Sequence, residues 1–268
     1  MKALRIFAPA AGSLLCLGLA FGHDTWLIPD RFHLAPSETV LLDLTSGMAF
    51  PALEIGPKRE RIQAVWCRLG HRTFELNEFE PAVKSLRIKG VLSESGVAVF
   101  WVKSPPKEIE LKPAQVQEYL EEIDAPAAVR RQWTEAKTPK RWRESYSKHS
   151  KTFVRVGDPG TDTSWHDAVG MFLEIVPEKD PTALRAGDEF PIRVLKDGKP
   201  LGDFSVGIVA EGEAKGSMQK TDAGGAATFR LDRSGRCLLR GTELRKSTKK
   251  DIDWESDFTT LTIEVAKQ

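Results

Sequence analysis

The sequence predicts a mainly β chain, built as two Ig-like antiparallel β-sandwich domains with a helical insertion between them. Three observations predict it. Sixteen prolines and 21 glycines among 268 residues supply many turns. Long stretches alternate apolar and polar side chains with the period of two that half-buried strands require. One central block switches to the i, i+3, i+4 spacing of an amphipathic helix.

The chain opens with Lys2 and Arg5 ahead of an apolar run through Leu14, Leu15, Leu17, Leu19 and Phe21. Ala20 and Gly22 then place small residues at −3 and −1 of a cut before His23. The run is shorter than the ~20 apolar residues of a membrane-spanning helix. Residues 1–22 are expected to be a cleavable signal peptide, which makes the mature chain periplasmic or secreted. Bulky Leu15 argues against lipidation of Cys16.

Residues 23–105 read as the N-terminal sandwich. Val40, Leu42 and Leu44 alternate, as do Ile62, Ala64 and Trp66, and then Val97, Val99 and Trp101. Gly70-His71 and Lys89-Gly90 are expected to be turns. Residues 106–151 read as the helical insertion. Pro113 suits a first helical position, and Val116, Tyr119, Leu120 and Ile123 follow on one stripe. A second helix opens at Pro126 with Val129 and Trp133, and a third is expected near Pro139 with Trp142, Tyr146 and His149 on one face. Acids dominate 107–124 and bases dominate 130–151, so these segments are expected to pack side by side.

Residues 152–268 read as the C-terminal sandwich. Phe190, Ile192 and Val194 lead into Asp197-Gly198, a two-residue hairpin signal. Leu261, Ile263 and Val265 form the last strand. Leu34-Ala-Pro-Ser-Glu-Thr-Val and Leu184-Arg-Ala-Gly-Asp-Glu-Phe repeat a turn and an acid before a strand, a faint sign of common design.

Charge excludes one class of function. Thirty-nine Lys and Arg stand against 38 Asp and Glu, without the concentrated positive field that binding nucleic acid requires. Catalytic signatures are missing too: no G-x-S-x-G elbow, phosphate-binding loop or dinucleotide fingerprint is present. Cys67 and Cys237 both sit in strand-like runs, and either one disulfide or two buried thiols would fit an exported chain.

Five histidines remain. Processing would make His23 the N-terminus, where its α-amine and imidazole, with ordinary pKa values of ~7.7–8 and ~6.5, can both deprotonate for a metal at neutral pH. Such nitrogen donors favour nickel and copper over magnesium or calcium. His166, in Ser-Trp-His-Asp, has a neighbouring carboxylate and a loop setting, which makes it a candidate ligand. His33 and His71 are expected at the surface. Asp251-Ile-Asp-Trp-Glu-Ser-Asp257 lacks calcium-loop spacing and reads as a turn, with Trp254 as a packing anchor.

Several stretches together resemble the exported domain-of-unknown-function 4198 family. They are His23-Asp-Thr-Trp-Leu-Ile-Pro29, Ser46-Gly-Met-Ala-Phe-Pro51, Glu144 to Lys151, Leu184 to Leu201, and Asp253-Trp-Glu-Ser256, in that order. The resemblance implies a periplasmic component associated with nickel or cobalt uptake, with His23 matching the family's leading histidine. Members of that family carry histidines where this chain has Met48 and Thr242. Met48 keeps a thioether that can ligate a soft ion such as Cu(I).

The expected function is thus a non-enzymatic envelope protein that binds or hands over nickel, cobalt or copper. His23, Met48 and His166 are its metal candidates, and a membrane metal transporter or other envelope protein its partner. The competing expectation is an interaction or scaffold module that binds a protein or glycan without metal.

Overall fold

Alternation along Gly96–Lys103 is buried on both sides. Val97, Val99 and Trp101 enter one hydrophobic core, while Ala98, Phe100 and Val102 enter another. That segment organises everything around it. The computed structural model describes residues 23–136, 140–213 and 216–268, so the expected signal peptide and Cys16 lie outside the described residues.

The elements run β1 (Asp24–Pro29), β2 (His33–Leu34), β3 (Thr39–Gly47), β4 (Ala64–Leu69), β5 (Arg72–Glu75), β6 (Glu78–Pro81), β7 (Leu86–Val91), β8 (Gly96–Lys103) and β9 (Lys107–Leu111). Then come α1 (Pro113–Glu122), α2 (Ala127–Glu135), β10 (Trp142–Val156), β11 (Leu173–Pro177), β12 (Glu189–Lys196) and β13 (Lys199–Pro200). The chain ends with β14 (Ser205–Ala210), β15 (Ser217–Lys220), β16 (Ala226–Arg230), β17 (Gly235–Lys246) and β18 (Trp254–Val265).

The protein is mainly β. A long mixed sheet runs β15-β14-β17-β18-β10-β8-β4-β5, with β2 and β9 also paired to β10. A smaller sheet, β1-β3-β7-β6, covers one face of it, and another, β11-β12-β13 with β16 on β12, covers the other. Leu42, Leu44 and Ile88 pack on Phe100 in the first core. Phe190, Ile192 and Val194 pack with Leu239, Leu261 and Ile263 in the second. The boundary expected at 105 falls just beyond β8, a strand that serves both cores.

The faint repeat is real in three dimensions. Ala35 N–H donates to Glu38 Oε2 at 2.7 Å, and Arg185 N–H donates to Asp188 Oδ2 at 2.9 Å. Ser37 and Gly187 both take positive φ, 68° and 92°, and donate N–H to the carbonyls of Leu92 and Leu231. One turn design thus starts a strand in each half. Asp197 and Gly198, with φ of 49° and 71°, form the hairpin turn in which both residues must be left-handed.

Helices α1 and α2 form as expected, with Val116, Tyr119, Leu120, Val129 and Trp133 buried. The third helix does not. Residues 142–156 are the strand β10, paired in parallel with β18 and antiparallel with β8 and β9. Trp142 stacks on Trp254 at 4.7 Å, and Tyr119 meets Trp142 edge-on, so the helices roof this end of the sheet. Opposite charges pair here, but through the ladder, as Arg143 does with Glu110. Lys89-Gly90 also differs, since both lie inside β7. A Cβ on Gly90 would sit 2.7 Å from the Leu76 side chain, so the glycine serves close packing rather than a turn.

Candidate functional site

Strand β1 crosses the long sheet, and three hydrogen bonds fix its start. Ser150 Oγ and Thr260 Oγ1 both donate to the carbonyl of Thr25, at 2.7 and 2.6 Å. Lys148 Nζ donates to the carbonyl of His23 at 2.6 Å. Trp26 and Ile28 pack against Val209 and Leu238 while Leu27 enters the first core, so β1 is buried on both faces. This anchoring holds the histidine corner still.

His23 is half-buried, and its Nδ1 is fully enclosed without a hydrogen-bond partner among the described residues. Burial and then the Lys148 charge hold the imidazole pKa below its usual value, against the opposing pull of Glu54 and Asp24. Asp24 is engaged by Arg240 Nη1 at 2.6 Å. Glu54 Oε1 accepts the N–H groups of Met48 and Ala49, at 2.9 and 2.8 Å. Glu122, at the end of α1, is pushed up to about 7 by burial and by Asp24. Burial pushes Lys148 down to about 8.

The three metal candidates do not converge. The β1–β3 ladder ends at the pair Asp24–Gly47, and His23 and Met48 each adjoin that end in sequence. The Met48 side chain is 63% exposed at that edge. His166 lies elsewhere. It sits in the short turn Ser164–His166, whose neighbour Ser164 accepts from Arg68 Nη2 at 2.7 Å. Arg68 alternates with Cys67 and Leu69 of the first core and so points to the face of the long sheet opposite His23. The structure thus does not bring His166 to the His23 edge. Thr242 lines a small cleft together with Asp24, Glu122 and Arg240.

The other histidines are structural or solvated. His149 is buried on β10 rather than on a helix, with Nε2 3.0 Å from Asp257 Oδ1. His33 and His71 are exposed. Among the described residues no group of three or more His, Cys, Asp or Glu is set to hold a metal. Cys67 and Cys237 are free and buried in different cores. The residues that sequence reasoning missed, Glu54, Lys148 and Glu122, carry no local signal, because only the tertiary fold brings the first two to act on His23 and the third to Asp24.

Fold and site together define a β-rich, sandwich-like protein with two cores on one shared sheet and an anchored histidine corner. The chain belongs to the family described as Domain of unknown function (DUF4198), whose model matches residues 20–242. Among curated proteins the sequence finds no match. Among solved structures it is similar to the Yersinia pseudotuberculosis adhesin InvE, at 10% identity and a TM-score of 0.24, over 92% of this chain and 61% of that one. It is also similar to the chicken CNTN1 FN1–FN3 domains, at 9% identity and a TM-score of 0.21, over 91% of this chain and 67% of that one. The chain thus spans under two thirds of the adhesin's length. No helix among the described residues is long and apolar enough to cross a membrane.

Proposed function

We propose that the chain, cut between Gly22 and His23, is a non-enzymatic envelope protein that holds a transition metal on His23 and hands it to a membrane transporter. One observation carries the reading: His23 Nδ1 is buried without a hydrogen-bond partner among the described residues, and the negative charge of Glu54 acts on the ring. Cleavage adds an α-amine on the same residue, and amine plus Nδ1 make a two-nitrogen chelate. Nitrogen donors with one carboxylate suit nickel, cobalt or copper, and the exposed thioether of Met48 adds a soft donor at the same edge. The two positions where the family resemblance places histidines, Met48 and Thr242, both flank the His23–Asp24 corner. His23 and Glu54 would hold the ion, and Lys148 would keep the His23 backbone in place. The repeated turn supports reading the two cores as immunoglobulin-like sandwiches that share the long sheet.

The test is calorimetric titration with Ni(II), Co(II), Cu(II) and Zn(II) of two chains, one starting at His23 and one with a single residue before it. Mass spectrometry confirms each terminus. Tight binding by the first chain only places the α-amine on the metal. Equal binding by both removes the terminal chelate. No binding by either overturns the metal reading in favour of an interaction module.

A further inference from the structure

Beside the histidine corner, on the other side of Lys148, lies a cleft of about 120 Å³. Three cations from three separate segments line it: Arg61 at the end of the turn Arg59–Arg61, Lys107 on β9 and Lys148 on β10. No carboxylate lines it. Asp24 and Glu122 act on Lys148 from beyond the cleft, with Asp24 itself bonded to Arg240, while Glu60 pairs with Lys58 and Glu110 with Arg143. Arg61 donates to the Pro105 carbonyl, Lys148 donates to the His23 carbonyl and lies over the Tyr146 and Phe258 rings, and none of the three cations has a carboxylate within ion-pair distance among the described residues. The remaining wall mixes the hydroxyl-bearing Thr25, Ser46, Ser104 and Tyr146 with the apolar Pro57, Ile62 and Pro105.

Three like charges around one concave space create a field that is relieved only by a counter-charge. Arg61 offers a planar fork, the exposed Lys107 a mobile ammonium and Lys148 an ammonium held by the His23 carbonyl with N–H donors to spare, and the hydroxyls can turn to donate. A volume of about 120 Å³ has room for several waters, and so for phosphate or a short dicarboxylate. We propose that this cleft is a binding site for a small dianionic oxyanion, held by Arg61, Lys107 and Lys148. The site stands without any metal and goes beyond the role assigned to His23.

The purified chain, free of metal, is titrated calorimetrically with phosphate and with malonate at ionic strength held constant with chloride. Saturable binding of one anion per chain is expected, and the tighter of the two identifies the class. Arg61→Gln and Lys107→Gln should each weaken it at least tenfold, whereas Lys199→Gln, on the exposed hairpin, should leave it unchanged. Melting curves show which variants fold, and Lys107, exposed and without an ion pair among the described residues, gives a variant expected to keep the fold. Absence of saturable binding overturns the proposal, as does a loss in Lys199→Gln equal to that in the cleft variants. Because no metal is added, failure here leaves the His23 reading standing, and failure of metal binding leaves this one standing.

Discussion

Lys148 Nζ and the His23 carbonyl oxygen are 2.6 Å apart, a bond that ties the middle of β10 to the residue just before β1. The ammonium is partly buried and has no carboxylate within ion-pair distance among the described residues, so its field reaches the imidazole beside it. Burial first, and that field second, favour the neutral ring. In a chain that keeps a residue before His23, NMR titration of the ring protons should therefore place the His23 midpoint below 6.5. Lys148→Met should move it upward. An unchanged midpoint in that variant would mean that Lys148 only positions the backbone.

Glu122 sets a second pH dependence. Its carboxyl is pushed up from 4.5 to about 7 by burial and by Asp24. The folded chain thus keeps a proton that the unfolded chain releases. Stability falls as pH rises from about 4.5 to about 7 and stays reduced above that window. Glu122→Gln removes the effect. By urea unfolding, the variant should exceed the parent by about 1–3 kcal/mol at pH 8, and the gap should close below pH 4.5. A constant gap across that range would show that the side chain acts through packing alone.

The strands whose alternation is strict were legible from sequence. Val40 to Leu44, Phe190 to Val194 and Leu261 to Val265 each bury one face, and the turn residues Asp197 and Gly198 point to their own geometry. Trp142 and Tyr146 misled because a spacing of four fits two strand repeats as well as one helical turn. The intervening Glu144, buried and held by Tyr119, Trp142 and Ser256, masked the alternation with a charge. Its parallel partner β18 lies more than a hundred residues away in sequence, so no short-range pattern announces the strand. The histidine corner was half legible. Small residues at a cleavage site single out His23, but Glu54, Lys148 and Glu122 reach that corner only through folding. His166 looked equivalent because its neighbours are polar, and sequence does not show that it sits on the opposite face of the sheet.

Cys67 and Cys237 should behave as inert thiols. Cys67 lies in the core under β3 and β7, and Cys237 in the core under β12. Burial raises the Cys67 thiol strongly and pushes Cys237 up to about 12, and thiolate is the reactive form. A chain starting at His23 should show no reaction with an aromatic disulfide reagent at pH 8 and two reactive thiols in denaturant. Rapid labelling of the native chain would mean that one core opens readily.

Lys151 and Glu174 form an ion pair in which both side chains are 1% exposed, with Nζ 2.8 Å from Oε1. It joins β10 to β11 beneath the second small sheet. Glu174 does more than its partner, because it also accepts the backbone N–H groups of Val169, Gly170 and Met171, at 2.8, 3.0 and 3.2 Å. Burial alone would raise its pKa, yet Lys151 and these donors hold it below the usual value. Removing either charge strands the other in an apolar setting, which typically costs about 3–5 kcal/mol. The two losses should not be equal. Lys151→Met leaves a carboxylate that keeps three backbone donors, whereas Glu174→Met leaves those donors without an acceptor, at a further cost of about 1–3 kcal/mol. Chemical denaturation should therefore rank Glu174→Met below Lys151→Met. The double variant should stay well short of the parent, since the 169–171 loop has still lost its acceptor. Equal losses, or full recovery in the double variant, would show that the pair acts only as two charges and that the loop contributes nothing.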